Sequence, residues 1–265
     1  MIIDGKAIAQ DILLEVAREV ATLSRPPRLT VFTCAPNFET QKFLALKERR
    51  AREVGIEVTV VTLPEICTTA VVMSRIMAAV PDTDGIIVQL PFPVHIDANA
   101  ILLAIPANYD VDALRYEGEV TDVLPPVIGA IDMIATRHAI SFNRKSVVVV
   151  GQGRLVGKPA ALYAASHGGI VSILEKETRN AAKAIREADI LILGAGVPGL
   201  VTAEMIKPGV VIFDAATSEE GGVLVGDATP DVADVASLLT PVPGGIGPIT
   251  VALLLQNLLR LASTH

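Results

Sequence analysis

A chain in which strand and helix patterns alternate almost from end to end can fold into few architectures, and this chain alternates twice. Residues 8–23 read as an amphipathic helix, 29–33 as a strand, 39–54 as a helix closed by Gly55, 57–62 as a strand, 69–80 as a helix and 85–89 as a strand. A second series begins with the apolar run Ser146-Val-Val-Val-Val150 and continues as a helix through 165, a strand at 170–174, a helix at 180–188 and strands at 189–193 and 210–214. Repeated β–α units predict mostly parallel sheets covered by helices. The expected fold is α/β, with two α/β domains, the second Rossmann-like, and a cleft between them. Residues 1–118 with 248–265 are expected to form one domain and 119–247 the other. The crossing lies in 116–127, and the last helix, after Thr250, returns to the first domain.

Composition narrows the class of protein. Apolar residues make up 51% of the 265 residues but aromatic ones only 3%, so aliphatic side chains must carry the core, as in sheets buried on both faces. A net charge of −7 argues against nucleic acid as a partner. No apolar run is long enough to span a bilayer and the N-terminus lacks a basic, then greasy leader, so a soluble, cytoplasmic protein is expected. Cys34 and Cys67 lack metal-ligand spacing and read as small buried hydrophobes in a reducing compartment.

Three local patterns carry chemistry. Gly151, Gly153 and Gly157 follow a strand and open a helix, where backbone N–H groups and the helix dipole favour a pyrophosphate; a tight βα turn is the plainer reading. Glu175 ends the next strand, where a carboxylate accepts from ribose hydroxyls and repels a 2′-phosphate, pointing to NAD, with NADP as the alternative. Residues 240–250 hold three prolines and three glycines. So constrained a segment is either a stiff turn before a helix or a wall on which something flat is laid. In the first half, Phe43 and Lys47 stand four apart on one helix, Gln89 ends an apolar strand, and Asp110 and Asp112 fall near the same sheet edge.

In order and spacing these residues resemble the bifunctional methylenetetrahydrofolate dehydrogenase/methenyltetrahydrofolate cyclohydrolase family. The most specific pieces are Asp84-Gly-Ile-Ile-Val-Gln-Leu-Pro-Phe-Pro93, Asp110-Val-Asp112, Leu155-Val-Gly-Lys-Pro159, Ala188-Asp-Ile-Leu-Ile-Leu-Gly-Ala-Gly-Val-Pro-Gly199 and the 240–250 loop. The resemblance implies that Lys47 is the catalytic lysine, that Gln89 positions it and the folate, and that Asp112 binds the pterin. It further implies that Phe43, Pro243, Gly244, Gly245 and Ile246 line the substrate site. Gly151, Gln152, Gly153, Val156, Gly157, Glu175 and Thr217 would meet the nicotinamide cofactor. Tetrahydrofolate one-carbon derivatives become the expected substrates, without a metal, and a homodimer the expected assembly.

The chain also departs from that pattern. Phe43 replaces a tyrosine, Ala113-Leu-Arg-Tyr116 a Gly-Phe-His-Pro-like run, and Val123-Leu-Pro-Pro126 a Pro-Cys-Thr-Pro-like turn. Gln152-Gly153 stand for Arg-Ser, and Asp214-Ala-Ala-Thr-Ser218 for an Asp-Val-Gly-Ile-Asn-like segment. The resemblance therefore implies a dehydrogenase whose cyclohydrolase activity is open. A dehydrogenase for a modified pterin carrier and a binding homologue without turnover stand as the other readings.

Overall fold

The structure is a computed structural model that describes residues 1–36, 38–118 and 123–263. The chain forms two compact units: Met1–Ala9, 116–118 and Pro125–Thr250 build one, and Gln10–Arg115, 123–124 and 251–263 the other. The expected crossing at 116–127 falls in part on 119–122, outside the described residues.

The first elements are α1 (Gly5–Val20), β1 (Arg28–Cys34), α2 (Phe38–Glu53), β2 (Glu57–Leu63), α3 (Thr69–Ala79), β3 (Gly85–Val88) and α4 (Ala98–Leu103). Helix α1 begins three residues before its apolar pattern, because Asp4 Oδ1 accepts from the N–H groups of Lys6 and Ala7, both at 3.1 Å, and so caps it. The three strands pair in parallel in the order β2-β1-β3, with Thr30 opposite Thr59 on one side and Ile86 on the other. The middle strand is buried from Leu29 to Cys34, which is why it reads as a continuous run rather than an alternating one. Phe32, Ile76, Ile86 and Ile101 centre the core on one face of this sheet. Gly85 is packed so closely that an added Cβ would lie 2.5 Å from Leu258 and 2.6 Å from Val111.

The remaining elements are α5 (Pro126–Arg137), β4 (Ser146–Val150), α6 (Gly157–Ser166), β5 (Ile170–Leu174), α7 (Ala181–Glu187), β6 (Ile190–Leu193), β7 (Val211–Asp214), β8 (Ser218–Glu220), β9 (Val223–Val225), β10 (Leu238–Thr240) and α8 (Ile246–Ala262). Five of these strands form a parallel sheet in the order β10-β7-β6-β4-β5, and β8 and β9 pair as a separate antiparallel ribbon. The N-terminal residues extend the five-stranded sheet: Ile2 bridges Leu239 in parallel, and Ile3 N donates to Leu239 O at 2.9 Å. The expected mostly parallel α/β fold is thus present in both units.

Two expectations are corrected. The terminal helix begins at Ile246, inside the proline- and glycine-rich segment, because a proline is tolerated in a first helical turn, where its missing N–H has no partner to lose. Helix α5 and strand β10 stand where the sequence pattern predicts no regular element.

Among the described residues no helix is long and apolar enough to cross a membrane. Cys34 and Cys67 are free and buried, as expected. They are also neighbours, and burial together with the Cys67 side chain pushes the Cys34 thiol up to about 11.

Candidate active site

Strand β1 has β2 on one side and β3 on the other, so the chain reverses direction across the sheet there, and crevices form at the carboxyl ends of such strands. Gln89 follows β3 at that edge, anchored by its N–H to Phe32 O at 2.8 Å. An isolated parallel bridge from Ile86 to Asp110 carries the next segment along the same sheet. Helix α2, which follows β1, supplies Lys47.

These elements bring Lys47, Gln89 and Asp112 together. Lys47 Nζ donates to Gln89 Oε1 at 2.8 Å, and Gln89 Nε2 donates to Leu90 O at 3.1 Å, which fixes the amide with its oxygen toward the amine. Burial lowers the Lys47 pKa, against the opposing pull of the nearby Asp112 carboxylate. Burial likewise raises the Asp112 pKa, and Lys47 holds it down. The sequence context of Lys47, a run of charges, suggests a solvated face; the structure instead places it half-buried. Phe43 lies one helical turn earlier on α2 and is 38% exposed.

Asp110 is a feature of this site to which sequence reasoning assigns no role. It is 3% exposed, its Oδ2 accepts from Leu114 N at 2.7 Å, and its Oδ1 is buried without a hydrogen-bond partner among the described residues. Burial and the Asp112 charge push its carboxyl up to about 7. A protonated Asp110 spares Asp112 a second negative charge, leaving that residue to face Lys47.

The turn after Asp110 is strained. Ala113 has φ 49°, a left-handed conformation that costs an alanine about 1 kcal/mol relative to glycine. Ala113→Gly is therefore expected to stabilise the protein by roughly 1 kcal/mol and raise its melting temperature by about 2 °C, measured by calorimetry.

In the five-stranded sheet the order reverses at β4, which has β5 on one side and β6 on the other. Gly151 leaves β4 with φ 93°, and its N–H bonds to Leu174 O at 2.9 Å, tying the turn to the end of β5. A Cβ on Gly157 would sit 2.0 Å from Gly151 O, so only glycine lets α6 start this close to the turn, whereas a Cβ on Gly153 would meet nothing within 4 Å. Val156, at the N-cap of α6, makes no side-chain cap bond; Lys158 N donates to Gly153 O at 3.0 Å and residue 159 is a proline, so in the first turn it is the Gly157 N–H that stands open toward the glycine turn. A close-packed turn, an open glycine and an uncapped helix start fit a dinucleotide pyrophosphate.

Gln152 is exposed in this turn, Glu175 is exposed directly after β5, and Thr217 is exposed between β7 and β8. The loop holding Pro243, Gly244, Gly245 and Ile246 is fixed by the first turn of α1: Gly5 N donates to Gly244 O at 2.9 Å, and a Cβ on Gly5 would fall 1.8 Å from Gly245 O. Two further carboxylates hold the loops at this sheet edge. Asp227, 0% exposed, accepts from Ala195 N and Val197 N at 2.7 Å and Gly196 N at 3.3 Å. Asp214 accepts from Ala216 N at 3.1 Å and Ala228 N at 2.9 Å, and burial pushes its carboxyl up to about 6. The apolar-strand pattern before Asp214 locates its edge position; nothing in the sequence around Asp227 marks it as a clamp on residues some thirty positions away.

A glycine turn at the switch point of the five-stranded sheet defines a dinucleotide-binding α/β fold, and a half-buried lysine bonded to a glutamine stands by the switch point of the three-stranded sheet. The profile of the tetrahydrofolate dehydrogenase/cyclohydrolase catalytic domain matches residues 3–112, and that of the NAD(P)-binding domain of the same proteins matches residues 125–265. The chain belongs to the tetrahydrofolate dehydrogenase/cyclohydrolase family. It is 35% identical over 275 residues to the bifunctional protein FolD of Exiguobacterium sibiricum, covering 99% of each chain. Among solved structures it is similar to the bifunctional FolD enzyme of Campylobacter jejuni, with a TM-score of 0.95, 30% identity and coverage of 100% and 99%. It is also similar to the Trypanosoma brucei methylenetetrahydrofolate dehydrogenase-cyclohydrolase complexed with NADP and an inhibitor, with a TM-score of 0.93, 32% identity and coverage of 100% and 97%.

Proposed function

We propose that this protein oxidises 5,10-methylenetetrahydrofolate to 5,10-methenyltetrahydrofolate with a nicotinamide cofactor and hydrolyses the product to 10-formyltetrahydrofolate. The observation that carries this reading is the Lys47–Gln89 hydrogen bond, with Asp112 beside it, in a chain that matches bifunctional enzymes along nearly all of its length. In this reading the three-stranded unit takes the folate, and the five-stranded unit holds the nucleotide through Gly151, Gln152, Gly153, Val156, Gly157, Glu175 and Thr217. Pro243, Gly244, Gly245 and Ile246 serve as a stiff apolar wall for the substrate.

Bound NAD(P) supplies the hydride acceptor for the methylene carbon. The protein's part is to hold the folate and manage protons. Desolvation shifts Lys47 toward its neutral form, and a cationic methenyl product raises that tendency. Gln89 keeps the amine in one place through its fixed carbonyl oxygen. In hydrolysis, the neutral amine takes a proton from water as the oxygen adds to the methenyl carbon. The carbon–N5 bond then breaks, N5 takes up a proton, the hydroxyl proton leaves and the formyl group stays on N10. Asp112, beside Lys47, is the acceptor for donor groups of the pterin.

Phe43 retains an aromatic face for the pterin but offers no hydroxyl to the proton relay. Phe43→Tyr is expected to speed hydrolysis by up to about tenfold, the worth of one neutral hydrogen bond, while changing the dehydrogenase step less. An equal change in both activities, or none, overturns that role. The overall reading is tested spectrophotometrically, by methenyl formation from methylenetetrahydrofolate with NAD or NADP and by methenyl decay without nucleotide; absence of both activities overturns it.

The net charge of −7 supports small-molecule partners over nucleic acid. A homodimer through the five-stranded unit is supported by its edge strand β5, where Ile170 is 66% and Ile173 37% exposed.

A further inference from the structure

We propose that Glu175 receives the adenosine ribose hydroxyls and makes the nucleotide site selective for NAD over NADP. The inference deepens the preceding reading and rests on it. Glu175 is the first residue after β5, the strand beside β4, and the Gly151 N–H bond to Leu174 O joins the pyrophosphate turn to the residue just before it. The first carboxylate after this strand is the group a ribose meets in a dinucleotide fold.

The backbone around Glu175 is set in advance. Its N–H donates to Thr178 Oγ1 at 2.8 Å, and Thr178 N donates back to Glu175 O at 2.9 Å, closing a four-residue turn. The carboxylate itself is exposed and has no partner among the described residues, so both oxygens are available to a pair of hydroxyls. An ionised carboxylate has acceptor capacity only, which suits a 2′-hydroxyl donor and opposes a 2′-phosphate.

The cations nearby do not reverse this. Residues 152 and 153 of the turn, Gln and Gly, bring no charge, and Lys158 is engaged with Glu117 at 3.4 Å. Arg154, Lys176 and Arg179 are exposed and weaken the negative field, but none occupies the strand-end position.

The test measures calorimetric affinity of the full chain for ADP-ribose and for 2′-phospho-ADP-ribose, beside kcat/KM for NAD and NADP. Wild type should favour the unphosphorylated compound by at least about tenfold, and Glu175→Gln, which keeps size and removes charge, should bring the two within about threefold. Equal or tighter binding of the 2′-phosphate compound by wild type, or a ratio unmoved by Glu175→Gln, overturns the selectivity while leaving the nucleotide site standing. Failure of both probes to bind overturns the nucleotide site and the selectivity with it.

Discussion

Lys47→Met is expected to slow methenyltetrahydrofolate hydrolysis by at least about a hundredfold, within the usual contribution of a positioned general base. Methionine retains the apolar stem that a half-buried helical position needs, so the folded structure should survive. What is lost is the amine held at Gln89 Oε1 that takes a proton from water, and Gln89 loses the donor it holds at 2.8 Å. The leftover unpaired amide oxygen costs about 1 kcal/mol of stability, too little to unfold the protein. The wild-type pH profile provides a second readout. Burial lowers the Lys47 pKa, so the neutral amine accumulates below the ordinary lysine range, and the hydrolysis rate should climb with pH and level off there. In Lys47→Met the enzyme-dependent rise should vanish. A mutant that hydrolyses at the wild-type rate, or keeps the profile, shows that the proton passes elsewhere.

The second large effect concerns the nucleotide turn. Gly157→Ala places a Cβ 2.0 Å from Gly151 O and 2.7 Å from Gly151 C, a collision with backbone that no rotamer can relieve. Either α6 or the turn must move, at a cost on the order of 3 kcal/mol. The expected result is a melting temperature lower by several degrees together with lost NAD(P) affinity. Gly153→Ala separates crowding from folding: a Cβ there meets nothing within 4 Å, so this variant should melt like wild type while its methyl group crowds the pyrophosphate. Circular dichroism melts and nucleotide titrations of both variants distinguish the outcomes. A Gly157→Ala protein as stable as wild type would mean that the turn is looser than its packing indicates.

The alternation of strands and helices is legible in the sequence because buried parallel strands are uninterrupted apolar runs. Strand β4, buried from Val147 to Val150, coincides with its expected bounds to the residue for this reason; β5 also keeps its expected bounds, marked by β-branched residues although it is a largely exposed edge strand. Strand β10 does not stand out, since Leu238–Thr240 is three residues long and merges into the proline-rich segment that follows. The start of α8 is hidden by the same prolines and glycines, whose breaking tendency is suspended in a first turn. The lysine site is legible only through family resemblance: Lys47 and Gln89 meet across 42 positions, a pairing that no local spacing encodes. The shifted carboxyl of Asp110 lies beyond sequence reasoning altogether, because desolvation depends on what covers the group and not on its neighbours in the chain.

The pairing of Met1, Ile2 and Ile3 with β10 has a consequence for synthesis. Leu239 N donates to Met1 O at 2.9 Å and the terminal ammonium donates to Ser237 O at 2.8 Å, so residues 1–3 leave the ribosome long before the strand that closes their sheet. The other unit waits longer still, since it includes residues beyond Thr250. Neither can therefore mature as an independent N-terminal piece, the usual order for nascent multidomain chains. Both interleaved halves are finished late, and a ribosome that stalls before β10 leaves both of them open.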